Sequence, residues 1–80
     1  RRAAREVYVL GEVIRPGPYA WRPDMTVFEA IMTAGGFTNK ANREAITVSR
    51  VAGGAIQQVR ARGDTPVQPG DVIKVSEGLL

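Results

Sequence analysis

The residues of this 80-residue chain that could do chemistry are carboxylates, hydroxyls, arginines and a few aromatics, because it has no cysteine and no histidine. Without cysteine there is no disulfide, no thiolate metal site and no iron–sulfur cluster, and the redox compartment stays open. Without histidine the usual general base and the commonest metal ligand are missing. Ser49 and Ser76 therefore have no imidazole to activate them. Asp24, Glu29, Asp64 and Asp71 stand where caps and turns need them, and nothing suggests two carboxyl groups facing each other across a cleft. Gly53-Gly54 lies between strand-like runs instead of opening a helix, so it does not read as a phosphate loop. The chain reads as a non-enzyme with no catalytic residue, no metal and no cofactor.

Binding is the chemistry left. Tyr19 and Trp21 fall two apart on a strand-like run and so share one face, with Arg15 and Arg22 flanking them. Their aromatic faces could stack on a sugar ring, which makes these four residues the candidate ligand contacts. The plainer role for both aromatics is to cover the sheet or the helix. Arg43, Arg50, Arg60 and Arg62 could form a basic surface for acidic polysaccharide or for carboxylates of a neighbouring subunit, where the planar fork of arginine is useful. Their plainer role is as solvated faces. Gln57-Gln58 suggests an exposed strand edge able to add to a neighbour's sheet. Arg43, Arg50, Gln57 and Gln58 are thus the candidate partner contacts.

These groups must be positioned by a small body. A chain of this length buries only about 60–65 % of its unfolded surface, which leaves little room for an internal cavity. Lys and Arg number 11 against 8 acidic residues, and the net charge of +3 is compatible with an anionic partner without demanding one. No apolar run is long enough to span a membrane, no signal peptide is visible, and the chain begins with Arg1, so it reads as a piece of a longer or processed protein.

One segment reads strongly as a helix, Thr26 to Gly36. Thr26 and Glu29 form a capping box, and Val27, Ala30, Ile31 and Ala34 recur at i, i+3, i+4 and i+7. Phe28 and Met32 are expected to widen that buried face, and Gly35-Gly36 to end the helix. Val7 to Leu10 reads as a strand covered on both faces, prolonged by Glu12 to Ile14, with Gly11 marking a bulge or a close backbone approach. Pro16-Gly17 suits the centre of a type II turn, returning the chain through Tyr19 to Trp21 as a hairpin. Phe37 is expected to plug the core beneath the helix end. Thr38 to Glu44 reads as turn, and Ile46 to Ser49 as a strand with Ile46 and Val48 inward. Ala52 to Ala55 is a hairpin loop and Ile56 to Arg60 the returning edge strand. Arg62 to Asp64 turns, Thr65 to Val67 is short and extended, Gln68-Pro69-Gly70-Asp71 is a strong turn, and Val72 to Val75 is a central strand. The expected fold is α+β, a β-grasp with a mixed sheet of four to five strands and one helix, at about residues 26–35, packed across it. The expected division is a linker or remnant at 1–6, the domain at 7–76 and a tail at 77–80.

Taken together, Val9-Leu10-Gly11-Glu12-Val13, Pro16-Gly17-Pro18-Tyr19, Thr26-Val27 with Ala30-Ile31 and Ala34-Gly35-Gly36, then Val48 and Arg50, and finally Val67 to Ile73, resemble the SLBB domain. That is the soluble ligand-binding β-grasp module, and the resemblance covers about residues 7–76. Each motif alone is weak; their joint order and spacing are specific. Within that group the chain is similar to the domains of outer-membrane polysaccharide export proteins. Glu77 fits the acidic residue that often follows the last strand there, whereas Gly78-Leu79-Leu80 does not match what comes next. The resemblance implies a periplasmic, outer-membrane-associated parent that assembles as a homo-oligomeric ring for capsule or exopolysaccharide. The implied partners are copies of itself, polysaccharide and the inner-membrane co-polymerase. Two alternatives are a free-standing glycan or small-ligand binder and an accessory domain for DNA uptake. The latter normally carries a helix-hairpin-helix partner that is absent from these residues, so nucleic acid is the least favoured ligand.

Overall fold

A computed structural model describes residues 5–78. The expectations for residues 1–4, and for Leu79 and Leu80 in the tail, lie outside them. The elements are β1 (Glu6–Gly11), β2 (Gly17–Ala20), α1 (Val27–Thr33), β3 (Ala41–Ala52), β4 (Ala55–Ala61) and β5 (Val72–Glu77). The strands form one mixed sheet in the order β2-β1-β5-β3-β4, with β1 and β5 parallel and the other pairs antiparallel. The helix lies over one face, so the α+β, β-grasp-like arrangement is as expected, and β5 is central. None of the described helices is long and apolar enough to cross a membrane.

The core follows from two periodicities meeting. Val7 and Val9 of β1, Ile46 and Val48 of β3, and Ile73 and Val75 of β5 alternate onto the face beneath the helix. Val27, Ala30, Ile31 and Ala34 come down on them, and every one of these is essentially inaccessible. Each buried valine or isoleucine contributes about 1.5–3 kcal/mol. Phe37 packs against this cluster, partly buried, under the helix end.

The helix is closed at both ends by its own sequence. Glu29 N–H donates to Thr26 Oγ1 at 3.2 Å, and Thr26 N–H donates to Glu29 Oε1 at 3.0 Å. Thr26→Ala removes one half of that box and is expected to lower stability by about 1 kcal/mol in urea denaturation. A loss below a few tenths would show that the cap is dispensable. At the other end Gly36 N–H reaches Ile31 O and Gly35 N–H reaches Met32 O, a Schellman closure.

The structure corrects several local expectations. Phe28 and Met32 do not widen the buried face; both are about half exposed. At about 100° per residue they lie roughly 110° and 150° from the centre of the Val27–Ala34 stripe. β1 is covered on one face only: Tyr8 and Leu10 point to the opposite, open face, because a single seven-residue helix supplies one covering layer. Glu12 to Ile14 does not prolong β1. Gly11, at φ 88°, turns the chain off the ladder, and the following segment serves the helix end instead. Ile14 N–H donates to Gly36 O and Arg15 N–H to Ala34 O, satisfying carbonyls that α1 and its exit leave open. The β1–β2 connection is therefore a longer excursion than a Pro-Gly hairpin, and Gly17, at φ 154°, opens β2 outside the type II angle. Trp21 lies just beyond β2, though its N–H still pairs with Arg5 O.

The turn expected at Thr38 to Glu44 gives way to strand from Ala41 onward. Ala41 pairs with Glu77, and a register shift separates that pair from Ile46. Asn42 keeps a local turn bond, accepting from Glu44 N–H, within the bulge. For the same reason β5 runs beyond the expected Val75 through Ser76 and Glu77. The turn at Gln68 to Asp71 is as expected: Gly70 takes φ 90° and Asp71 N–H donates to Gln68 O.

Candidate functional site

Of the four candidate ligand contacts, Tyr19 and Trp21 share the helix side of the β2 edge, while Arg15 and Arg22 lie apart from each other. Tyr19 stands opposite Val7 and Trp21 follows it on the same side, both packed against the core. Their polar tips are engaged within the chain. The Tyr19 hydroxyl donates to Arg15 O, and Trp21 Nε1–H donates to Val67 O at 2.8 Å. The Arg5 guanidinium sits over the Trp21 ring, 5.7 Å from its centroid. Arg15 is exposed, with its guanidinium beside Gly35 at the helix exit. Arg22 is exposed in the turn that its carbonyl closes with Met25 N–H. Trp21 thus ties β2 to the Val67 segment with one ring edge.

The four candidate partner contacts are scattered along β3 and β4. Gln57 and Gln58 lie on β4, which is the sheet edge expected; Gln58 Nε2–H donates across to Ser49 Oγ. Arg50 turns inward. Its Nε and Nη2 donate to the two oxygens of Asp71 at 3.0 and 2.8 Å, and Asp71 is only 1 % exposed. Asp71 also accepts Gln68 N–H at 2.8 Å, so one carboxylate closes its own turn and anchors β3 to it. The hydrogen bonds to Asp71 hold the Arg50 guanidinium above its already high ordinary value; partial burial works against this and the carboxylate's charge adds to it. Arg43 instead reaches over Phe37, 5.2 Å from the ring centroid.

A third grouping emerges only from the fold. Arg43 and Glu44 of β3, Arg60 and Ala61 of β4, and Arg62-Gly63 beyond it line an open cleft of about 440 Å³. A second shallow depression, of about 340 Å³, is lined by Thr26, Phe28, Gly63 and Asp64. Gly63 belongs to both. The turn that carries it is pinned on two sides. Arg62 N–H donates to Thr65 Oγ1, and Thr65 N–H to Arg62 O. Gly63 O accepts Phe28 N–H and Thr65 O accepts Val27 N–H. These bonds, with the Thr26 cap, occupy the donors of the first helical turn, so that helix end is not an anion site. Among the described residues no three His, Cys, Asp or Glu side chains stand together as metal ligands do.

Sequence patterning placed Arg43, Arg60 and Arg62 in one half of the chain without showing that they converge. It missed Phe28 by assigning it to the core. The signal was available in the helical angle, which sets Phe28 off the apolar stripe.

No curated protein matches the chain significantly. The family model for the SLBB domain matches residues 7–68, from β1 through the segment that Trp21 holds. With more than half its length matched and a five-stranded sheet carrying one helix, the chain belongs to the SLBB domain family of soluble ligand-binding modules.

Proposed function

We propose that this chain is a non-catalytic module of a polysaccharide export protein, in the periplasm and associated with the outer membrane through its parent. Its work there is to pack against copies of itself and against neighbouring domains in an export channel. Contact with passing polysaccharide, or with the inner-membrane co-polymerase that feeds it, comes second.

One observation carries this reading, the β3–β4 hairpin. It runs on past the ground covered by the helix and lengthens the molecule to 46 Å against 25 and 19 Å in the other directions. Val51 and Ile56 face each other across it, 72 % and 76 % exposed. Among the described residues the outer rim of β4 pairs with no strand. An apolar, β-branched edge of this kind is a liability for a lone chain and an asset for one that meets a neighbour. Family membership adds the module type.

The test is the size of the full-length parent in detergent, by light scattering. A ring-sized oligomer is expected, and Val51→Asp with Ile56→Asp should reduce it to smaller species while leaving the fold intact. A parent that is monomeric, or whose oligomer ignores both charges, would count decisively against assembly through this hairpin.

A further inference from the structure

We infer that the arginine cleft and the Phe28 shelf form one binding site for a carboxylate-bearing sugar unit. This rests on the export reading for the polymer that such a unit would belong to, but the site itself is drawn from geometry.

The cleft concentrates unspent positive charge. The ion pair among the described residues is Arg50–Asp71; Arg43, Arg60 and Arg62 each lack a carboxylate within ion-pair distance, although Glu44 lines the same cleft. Arg43 is held by its side chain, over Phe37, whereas for Arg62 it is the backbone that is fixed, in a turn closed by Thr65 and tied to the helix through Gly63 O. A preorganised fork loses less freedom when it takes a planar carboxylate by two parallel hydrogen bonds.

The shelf supplies the other half. Phe28 is half exposed and forms, with Thr26, Gly63 and Asp64, a mainly apolar depression that shares Gly63 with the cleft. A Cβ at position 63 would lie 3.4 Å from Phe28 Cβ, so glycine there lets the turn that borders the cleft lie close against Phe28. A pyranose ring offers an apolar C–H face for the phenyl ring and a rim of hydroxyl donors. Glu44 and Asp64 stand at the edges to accept from those hydroxyls. A uronic acid adds the carboxylate that the arginines need. The same two carboxylates disfavour doubly charged phosphates and a nucleic-acid backbone. An acidic peptide would meet the arginines but offers no array of hydroxyls to Glu44 and Asp64.

The test is a titration of the isotope-labelled 80-residue chain, followed by amide resonances, with three probes. These are tetragalacturonate, its fully methyl-esterified form and tetraglutamate. Tetragalacturonate is expected to shift the resonances of Arg43, Arg60, Gly63 and Phe28, and to bind at least about tenfold more tightly than either other probe. Arg60→Gln with Arg62→Gln, and separately Phe28→Ala, should each weaken it about tenfold with the remaining spectrum unchanged. The proposal is overturned if the free acid fails to bind at millimolar concentration, if the ester or the peptide binds as well, or if these variants leave affinity unaltered. A parent that forms its ring but shows no such binding overturns this site alone. A monomeric parent whose domain still selects the free acid overturns assembly and leaves the site standing.

Discussion

Gly11→Ala is expected to cost the domain about 3 kcal/mol or more, measured by urea denaturation against the wild type. The methyl group would sit 2.1 Å from Val75 O and 3.0 Å from Val75 C and N, all backbone atoms of the central strand β5. Val75 cannot simply step aside. Its carbonyl accepts Glu12 N–H at 2.9 Å, and its side chain is fully buried beneath the helix. The φ of 88° adds strain for any residue with a Cβ. A domain of this length has a total stability on the order of 4–12 kcal/mol, so the variant should lose a large share of it. Gly53→Ala is the control. Gly53 is also at positive φ, 61°, but has nothing within 4 Å, and its cost should stay near 1 kcal/mol. If the two substitutions prove equally mild, close approach at Gly11 is not what shapes the β1 exit.

Breaking the Arg50–Asp71 pair should have the next largest effect, and an unequal one. Arg50→Ala leaves Asp71, 1 % exposed, with Gln68 N–H as its remaining partner, and is expected to cost about 3 kcal/mol. Asp71→Ala frees an arginine whose side chain is 32 % exposed and can reach water, so the expected cost is smaller, about 2 kcal/mol. The double substitution should cost clearly less than the sum, because the two groups act as one unit. Equal and additive single effects would mean that each residue stabilises its strand independently. The pair also fixes a sign for pH. Arg50 binds its proton more tightly in the folded chain than in the unfolded one, so its contribution is complete below its unfolded value and fades only as pH rises through the higher folded value. Arg50 therefore adds no pH dependence between about pH 6 and 9.

Much of this was legible in the chain itself, where local rules act alone. The capping box of Thr26 and Glu29, the glycine exit at Gly35, the Pro69-Gly70 turn and the alternation of Ile46 and Val48 each involve residues a few positions apart. Propensity and periodicity decide such features. Their order was enough to indicate one helix over a mixed sheet and to carry the family resemblance that the domain match bears out.

What the tertiary structure decided were the outcomes that depend on distant partners. The helix is short and alone, so one face of β1 stays open and Phe28 and Met32 stay outside, however apolar they are. The carbonyls around the helix exit draw in Ile14 and Arg15, and the segment that looked like more strand becomes part of that closure. Pairing with Glu77 pulls Ala41 into β3 against the turn preference of Asn42. Arg50 resembled the other arginines of its half of the chain until Asp71, 21 positions away, claimed both arms of its fork. Arg43, Arg60 and Arg62 resembled it too, and the fold left them in one cleft beside Phe28. Local sequence thus settled which elements form and what sort of domain they build. Which charges are consumed within it and which face outward was settled by packing, because that depends on where one helix and one buried carboxylate come to rest.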